Sequence, residues 1–352
     1  MPPAKVPTSE AYPLKAWRRQ AKAKLAPPTP AAYEGKTVLL VGATGVILSD
    51  AARILSNLKI ATLIFGVRSV KKGEALADTL KPKHADVDFK TWEIDLFSFE
   101  SVKKFAATIN SYGRIDAIVM GSAIMNEESK VTQDGWEETL QLVHLSAALL
   151  FALILPKLLA NAEDPTGLPP VVLSNVSSLS IRSTSPFLKL PATPAESYLG
   201  HLNRTDATAT ERRNQYGYAK ILQTCWLRDL CARLPPGAGD RAVQIHSVDP
   251  GICPSPLSKF SIFSKIFLLW AGRPVEMSAR AVVNSCLPVT GSHGKLMVDY
   301  DVVPYPEYMD RELGLELRER VWSETKKFLI ETFAETESLF ATLSTEPVTS
   351  SK

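Results

Sequence analysis

The feature that most constrains this chain is an alternation. From Lys36 onward, short aliphatic runs are separated by longer stretches of helical periodicity, the mark of parallel strands joined by crossover helices. Residues 37–42 (TVLLVG), 61–66 (ATLIFG), 87–94, 115–121, 169–177, 242–249 and 294–300 read as seven strands. Helices are expected up to about Leu58, over SVKKGEALADTL, over SFESVKKFAATI with Ser98 as N-cap, and from about Asp134 to Leu159. The predicted class is α/β, a doubly wound parallel sheet with helices on both faces. Right-handed crossovers then place any ligand at the carboxyl ends of the strands, where chain order reverses.

The rest of the chain bounds what surrounds that sheet. At 352 residues, 45% apolar and 22% charged, it can bury a core without disulfides or a structural metal. Cys225, Cys231, Cys253 and Cys286 have no CxxC or zinc-ligand spacing, which suits reduced thiols in a cytoplasmic protein; no metal is expected. The longest apolar runs, 147–155 and 266–270, fall short of the roughly 20 residues that span a bilayer, so no membrane span is expected. Residues 1–36 hold seven Lys and Arg against two Glu, within a net charge of +3. A short basic arm on a nearly neutral body does not make a nucleic-acid reader. We divide the chain into this arm (1–35), strapped to the surface through Tyr12, Leu14 and Trp17, a single domain (36–343) and a disordered tail (344–352). The final helix, about 307–343, reads as an amphipathic cover.

Two segments interrupt the rhythm. Residues 179–213 are polar, rich in Pro, Ser and Thr, and too long for an ordinary connection, so an insertion loop is expected. Residues 254–273 begin with prolines and become strongly apolar. Phe260, Ile262, Phe263, Phe267 and Trp270 are candidates for an apolar lid over a substrate pocket; packing of this stripe against the body is the alternative.

Five elements now fall in order: VGATGVILSDAARIL after the first strand, EIDL at 93–96, SNVSS at 174–178, YGYAK at 216–220 and DPGICPS at 249–255. Together, over about residues 36–300, they resemble the short-chain dehydrogenase/reductase superfamily, on its retinol-dehydrogenase-like and fungal secondary-metabolism side. The resemblance implies a Rossmann-type sheet. It implies that Tyr216 exchanges a proton with a substrate carbonyl, that Ser178 hydrogen-bonds the same oxygen, and that Lys220 keeps the phenol acidic and holds the nicotinamide ribose. It also implies cofactor contacts at Gly42, Gly45, Arg68 (for a 2′-phosphate) and Asp95 (for the adenine amine). Arg68 could equally cap or pair at the surface, and Asp95 could be a turn residue. Family members often pair as homodimers through the Tyr-Lys helix.

Against this pattern the chain carries departures. The family's T-G-x-x-x-G-x-G, laid on residues 41–48, keeps Gly42 in register, while Val46 and Leu48 replace the second and third glycines and Gly45 lies one residue early. Gly121, Ser122 and Ala123 stand for the family's N-A-G, and Val143, beside His144, stands where an Asn would hold a relay water. His144 could face the substrate pocket or be a satisfied core histidine. These departures lead us to expect no bound cofactor and a non-redox step on an apolar, carbonyl-containing small molecule. Cyclisation or cycloaddition, isomerisation and dehydration all qualify, in the setting of natural-product biosynthesis. The alternatives are an NADPH-dependent carbonyl reductase with an altered loop, and a pseudoenzyme.

Overall fold

Because the strands alternate in which face each side chain presents, the sequence pattern becomes two cores on either side of one sheet. The computed structural model describes residues 14–125, 128, 130–160, 169–178, 181, 197–204, 209–254 and 268–345. Strands β1 (Thr37–Val41), β2 (Thr62–Val67), β3 (Asp88–Glu93), β4 (Ala117–Met120), β5 (Val171–Val176), β6 (Val243–Asp249) and β7 (Leu296–Val298) run parallel. The order across the sheet is β3-β2-β1-β4-β5-β6-β7-β8. All seven expected strands are present. The eighth, β8 (Asp301–Val303), escaped the sequence reading because it is three residues long and returns antiparallel to β7. A two-residue turn makes that return, with Asp299 at φ 58°.

Among the described residues eight longer helices accompany the sheet: α1 (Leu14–Lys22), α2 (Val46–Ser56), α3 (Val70–Leu80), α4 (Phe99–Ser111), α5 (Glu138–Ala160), α6 (Ala209–Arg233), α7 (Val275–Asn284) and α8 (Glu312–Thr332). Leu39, Val41, Ile64, Ile118 and Met120 pack on one side with residues of α4, α5, α6 and α8. Their neighbours Val38, Leu40, Leu63, Phe65 and Val119 pack on the other with α2, α3 and α7. This period of two on strands buried on both faces is why the runs read as continuously apolar. Ser98 caps α4 as expected, accepting from Ser101 N at 3.3 Å.

Helix α5 differs from the reading in length and shape. It is long and apolar enough to cross a membrane, yet 72% of its most apolar window is buried. Its packing against α4 and α6 makes it a core helix. Residues 138–146 precede the apolar run within the expected helix, which begins four residues later than read, and Gln141–Leu145 form a π turn within it. A π turn offsets one residue from the helical ladder and is frequent at functional sites.

Other expectations shift as well. The described part of 179–213 is no open loop: Tyr198–Leu202 form a short helix, and the Glu324 carboxylate of α8 accepts from Ser197 Oγ, Tyr198 N and Leu199 N at 2.8–2.9 Å. The last helix divides at Phe333, where a short 3-10 turn follows α8. The arm is strapped down, through buried Gln20 and through Leu25 O and Ala26 O, which accept from Arg280 Nη1 and Tyr300 Oη at 2.5 Å. Its expected anchors Tyr12, Leu14 and Trp17 lie outside the described residues or side chains, as do Phe260, Ile262, Phe263 and Phe267 of the expected lid. Trp270 is described, half-buried beneath the Arg18 guanidinium, 5.8 Å from the ring centroid.

Candidate active site

The chain order reverses between β1 and β4, so the turns after β1, β4, β5 and β6 share one edge of the sheet. After β5, Ser178 is half-buried and hydrogen-bonds the Tyr216 phenol. Helix α6 carries Tyr216 and, one turn on, Lys220. After β6, Asp249 is buried and accepts from Gly251 N at 2.9 Å. The three catalytic candidates therefore converge where the sequence placed them.

Their electrostatics differ from what the resemblance implies. Lys220 Nζ donates to Val176 O at 2.7 Å and to Gln223 Oε1 at 3.2 Å. Burial pushes its pKa down to about 7. Burial likewise pushes the Tyr216 phenol up, the Ser178 hydrogen bond lowers it and the Asp249 charge raises it, with a net rise. The phenol therefore keeps its proton at neutral pH and is a donor. An ammonium that keeps it acidic is not what this geometry offers: half-neutralised near pH 7, Lys220 spends its hydrogens on a strand carbonyl and an amide.

Two residues that the sequence reading passed over complete this half. Gln223, buried one turn beyond Lys220, donates from Nε2 to Val143 O at 2.6 Å and accepts from Asn175 Nδ2 at 3.2 Å. The i, i+3 spacing from Lys220 was the available signal. Val143, 1% exposed, thus reaches the site through its carbonyl, which the π turn frees, and its isopropyl group stays in the core. His144 is a buried core histidine held by one of its two ring nitrogens: Nε2 lies 2.9 Å from Thr325 Oγ1 of α8, Nδ1 has no partner among the described residues, and burial pushes its pKa down to about 3.

The nucleotide half tells another story. A diphosphate needs close backbone approach in the turn between β1 and α2. Gly42 takes φ 90°, and a Cβ there would lie 2.6 Å from Ser122 Oγ, so the protein's own β4 turn fills that flank. Gly45 sits at the N-cap of α2, where a Cβ would lie 3.2 Å from Gly42 O, and Ser49 N is bonded back to Gly45 O at 2.8 Å. Val46 begins the helix half-buried. Leu48 is 2% exposed and lies over Gly121, where a Cβ would come within 2.4 Å of Leu48 Cδ1. Bulk gained at 48 is matched by bulk absent at 121. Of the family's three glycine functions the turn survives; the close approach and the glycine packing do not, and these residues do not fit a diphosphate held in the family's manner.

The two remaining cofactor candidates are locally engaged. The exposed Arg68 guanidinium stacks 5.4 Å over the Phe97 ring. Asp95 Oδ1 accepts from Phe97 N at 3.0 Å, and Asp95 N donates to Ser101 Oγ at 2.9 Å, which places Asp95 in a local turn. Among the described residues no cluster of His, Cys, Asp and Glu could hold a metal ion.

No family model matches the sequence. Curated relatives are fungal. The chain is 29% identical over 311 residues to the short chain dehydrogenase macD of Penicillium terrestre, covering 85% of this chain and 92% of that one. It is 30% identical over 226 residues to a short chain dehydrogenase of Alternaria solani, covering 64% of this chain and 75% of the other. Among solved structures, an uncharacterized protein from Mycobacterium paratuberculosis superposes with a TM-score of 0.61 at 20% identity, over 89% of this chain and 98% of that one. A Beutenbergia cavernae protein described as an NAD(P) dependent gluconate 5-dehydrogenase, with NADP bound at low occupancy, gives 0.55 at 16% identity, over 80% and 100%. Five motifs in order, an eight-stranded sheet with the expected crossovers and the extent of the fungal matches together place this chain in the short-chain dehydrogenase/reductase family.

Proposed function

We propose that this chain polarises a carbonyl of an apolar small molecule with the Ser178 and Tyr216 hydroxyls and catalyses a non-redox step on it, in natural-product biosynthesis. Isomerisation through an enol, dehydration, and cyclisation or cycloaddition of a polyene activated by its carbonyl all use that one feature. The observation that carries the reading is the packing of Leu48 on Gly121, with Val46 at the start of α2, where the family's glycines would admit a diphosphate. In a dry pocket two neutral donors aimed at a developing oxyanion are a large catalytic contribution, about 3 kcal/mol for each. A phenol held above its ordinary range suits that role, because it donates without losing its proton. Holding the reacting ends of a folded substrate in contact lowers the remaining barrier.

Incubating the protein with an apolar enone in deuterated buffer, without nucleotide, tests this reading. Catalysed exchange of the hydrogens next to the carbonyl, the C–H proton passing to buffer base while the Ser178 and Tyr216 hydroxyls donate to the enolate oxygen, lost in Tyr216→Phe, is the expected result. Exchange equal in wild type and Tyr216→Phe overturns it. One observation favours a second reading, an NADPH-dependent carbonyl reductase: Arg68 stays exposed at the end of β2, where a 2′-phosphate could meet it. The names of the fungal relatives support that alternative, and NADPH oxidation by a ketone would identify it.

A further inference from the structure

Lys220 is the one buried amine of the site, and the way it is held is not explained by the residues that the motif supplies. It lies 2% exposed among polar groups that all belong to the protein: Val176 O at the end of β5, Gln223 on its own helix and, through Gln223, Asn175 on β5 and Val143 O in the π turn. Valine at 143 has no side-chain donor or acceptor. The glutamine supplies both from the neighbouring helix. Its Nε2 takes the π-turn carbonyl and its Oε1 takes the amine, so one planar amide joins α5, α6 and β5 at a single point.

We infer that Gln223 is the positioning residue for Lys220, clamping its amine between the π turn of α5 and the end of β5. The inference rests on the reading that Ser178, Tyr216 and Lys220 form the working site. The clamp has one direct consequence. The amine is offered two uncharged acceptors and no carboxylate, so its proton is held loosely. The titratable groups around the amine are Tyr216 on the same helix, Asp249 at the end of β6, whose charge acts on that phenol, and His144, whose Nε2 meets Thr325. Burial is what moves the amine itself.

The experiment uses the full chain without substrate or nucleotide, labelled with 15N and with 13C at the lysine ε carbon. Lys220→Met and Gln223→Met assign the two resonances. In wild type, the Gln223 side-chain NH2 signals and the Lys220 ε carbon should titrate with a common midpoint. In Gln223→Glu, the new carboxylate should raise the Lys220 midpoint by about one pH unit or more. Should that variant fail to fold, the wild-type co-titration decides. A Gln223 amide indifferent to Lys220 ionisation, or an unmoved midpoint in Gln223→Glu, overturns the clamp. Neither readout needs a reaction, so the clamp and the carbonyl chemistry fail separately: the first by NMR here, the second by exchange in Tyr216→Phe.

Discussion

The turn after β1 and the turn after β5 lie on the same edge of one sheet, and they have diverged from the family pattern in opposite ways. After β1, side chains that would leave room for a ligand have become aliphatic and pack on the protein, with Leu48 over Gly121. After β5, the hydroxyls of Ser178 and Tyr216 remain in contact, and the surrounding polar groups are tied together by an amide at Gln223. On the proposed reading, the difference teaches that a doubly wound fold can change one half of its site while keeping the other. The two halves hang from different strands.

That contrast can be broken from either side. The largest expected effect is on stability: Leu48→Ala should cost about 3 kcal/mol in chemical denaturation, as for other buried leucines. Gly121→Ala, forced against Leu48, should cost about 2 kcal/mol alone and close to nothing in the Leu48→Ala background. Additive losses would mean that 48 and 121 are not a matched pair. Next comes chemistry, with Tyr216→Phe and Ser178→Ala each reducing nucleotide-free exchange about a hundredfold. Because the phenol is pushed above its ordinary value, wild-type exchange should stay level from neutrality to at least pH ~9, near the ordinary phenol range. A rise over that interval would instead indicate a phenolate base.

A pH-dependent effect follows from the Lys220 amine. Its folded pKa of about 7 lies below the ordinary 10.5, so between those values the unfolded chain binds the additional proton and stability rises with pH. Below pH 7 the whole cost is present. Lys220→Met should therefore stabilise the fold at pH 6.5 by up to about 3 kcal/mol more than at pH ~9.5, measured as the difference between variant and wild-type denaturation curves. An equal difference at both values would mean that the amine titrates normally. The smallest effect is at Arg68, where Ala should change stability by less than about 0.5 kcal/mol and leave exchange untouched.

Much of the fold was legible because strands buried on both faces and helices with one apolar face write different periods. The places of seven strands and the cap at Ser98 came from that grammar. Strand β8 and the π turn did not, since three residues carry no period and a one-residue offset in a helix leaves no trace in hydrophobicity. At the site, Ser178, Tyr216 and Lys220 were readable from order along the chain. The pairing of Leu48 with Gly121 was not, because the gain and the loss stand 73 positions apart and each alone looks like damage. Gln223 was hidden for a different reason. Glutamine in the middle of a helix is ordinary surface material, and only the burial of Lys220 beside it gives its amide a task. The bond from the His144 ring to α8 was hidden too, because Thr325 lies 181 positions away.

The central claim is that the nucleotide half of the site no longer receives its ligand. Calorimetric titration of the wild-type protein with NADPH at neutral pH, beside a Val46→Gly/Leu48→Gly variant, tests it most directly. We predict no saturable heat for wild type through the millimolar range and a measurable gain for the variant if it remains folded. Micromolar binding to the wild-type protein, with NADPH consumed when a ketone is added, would contradict the account.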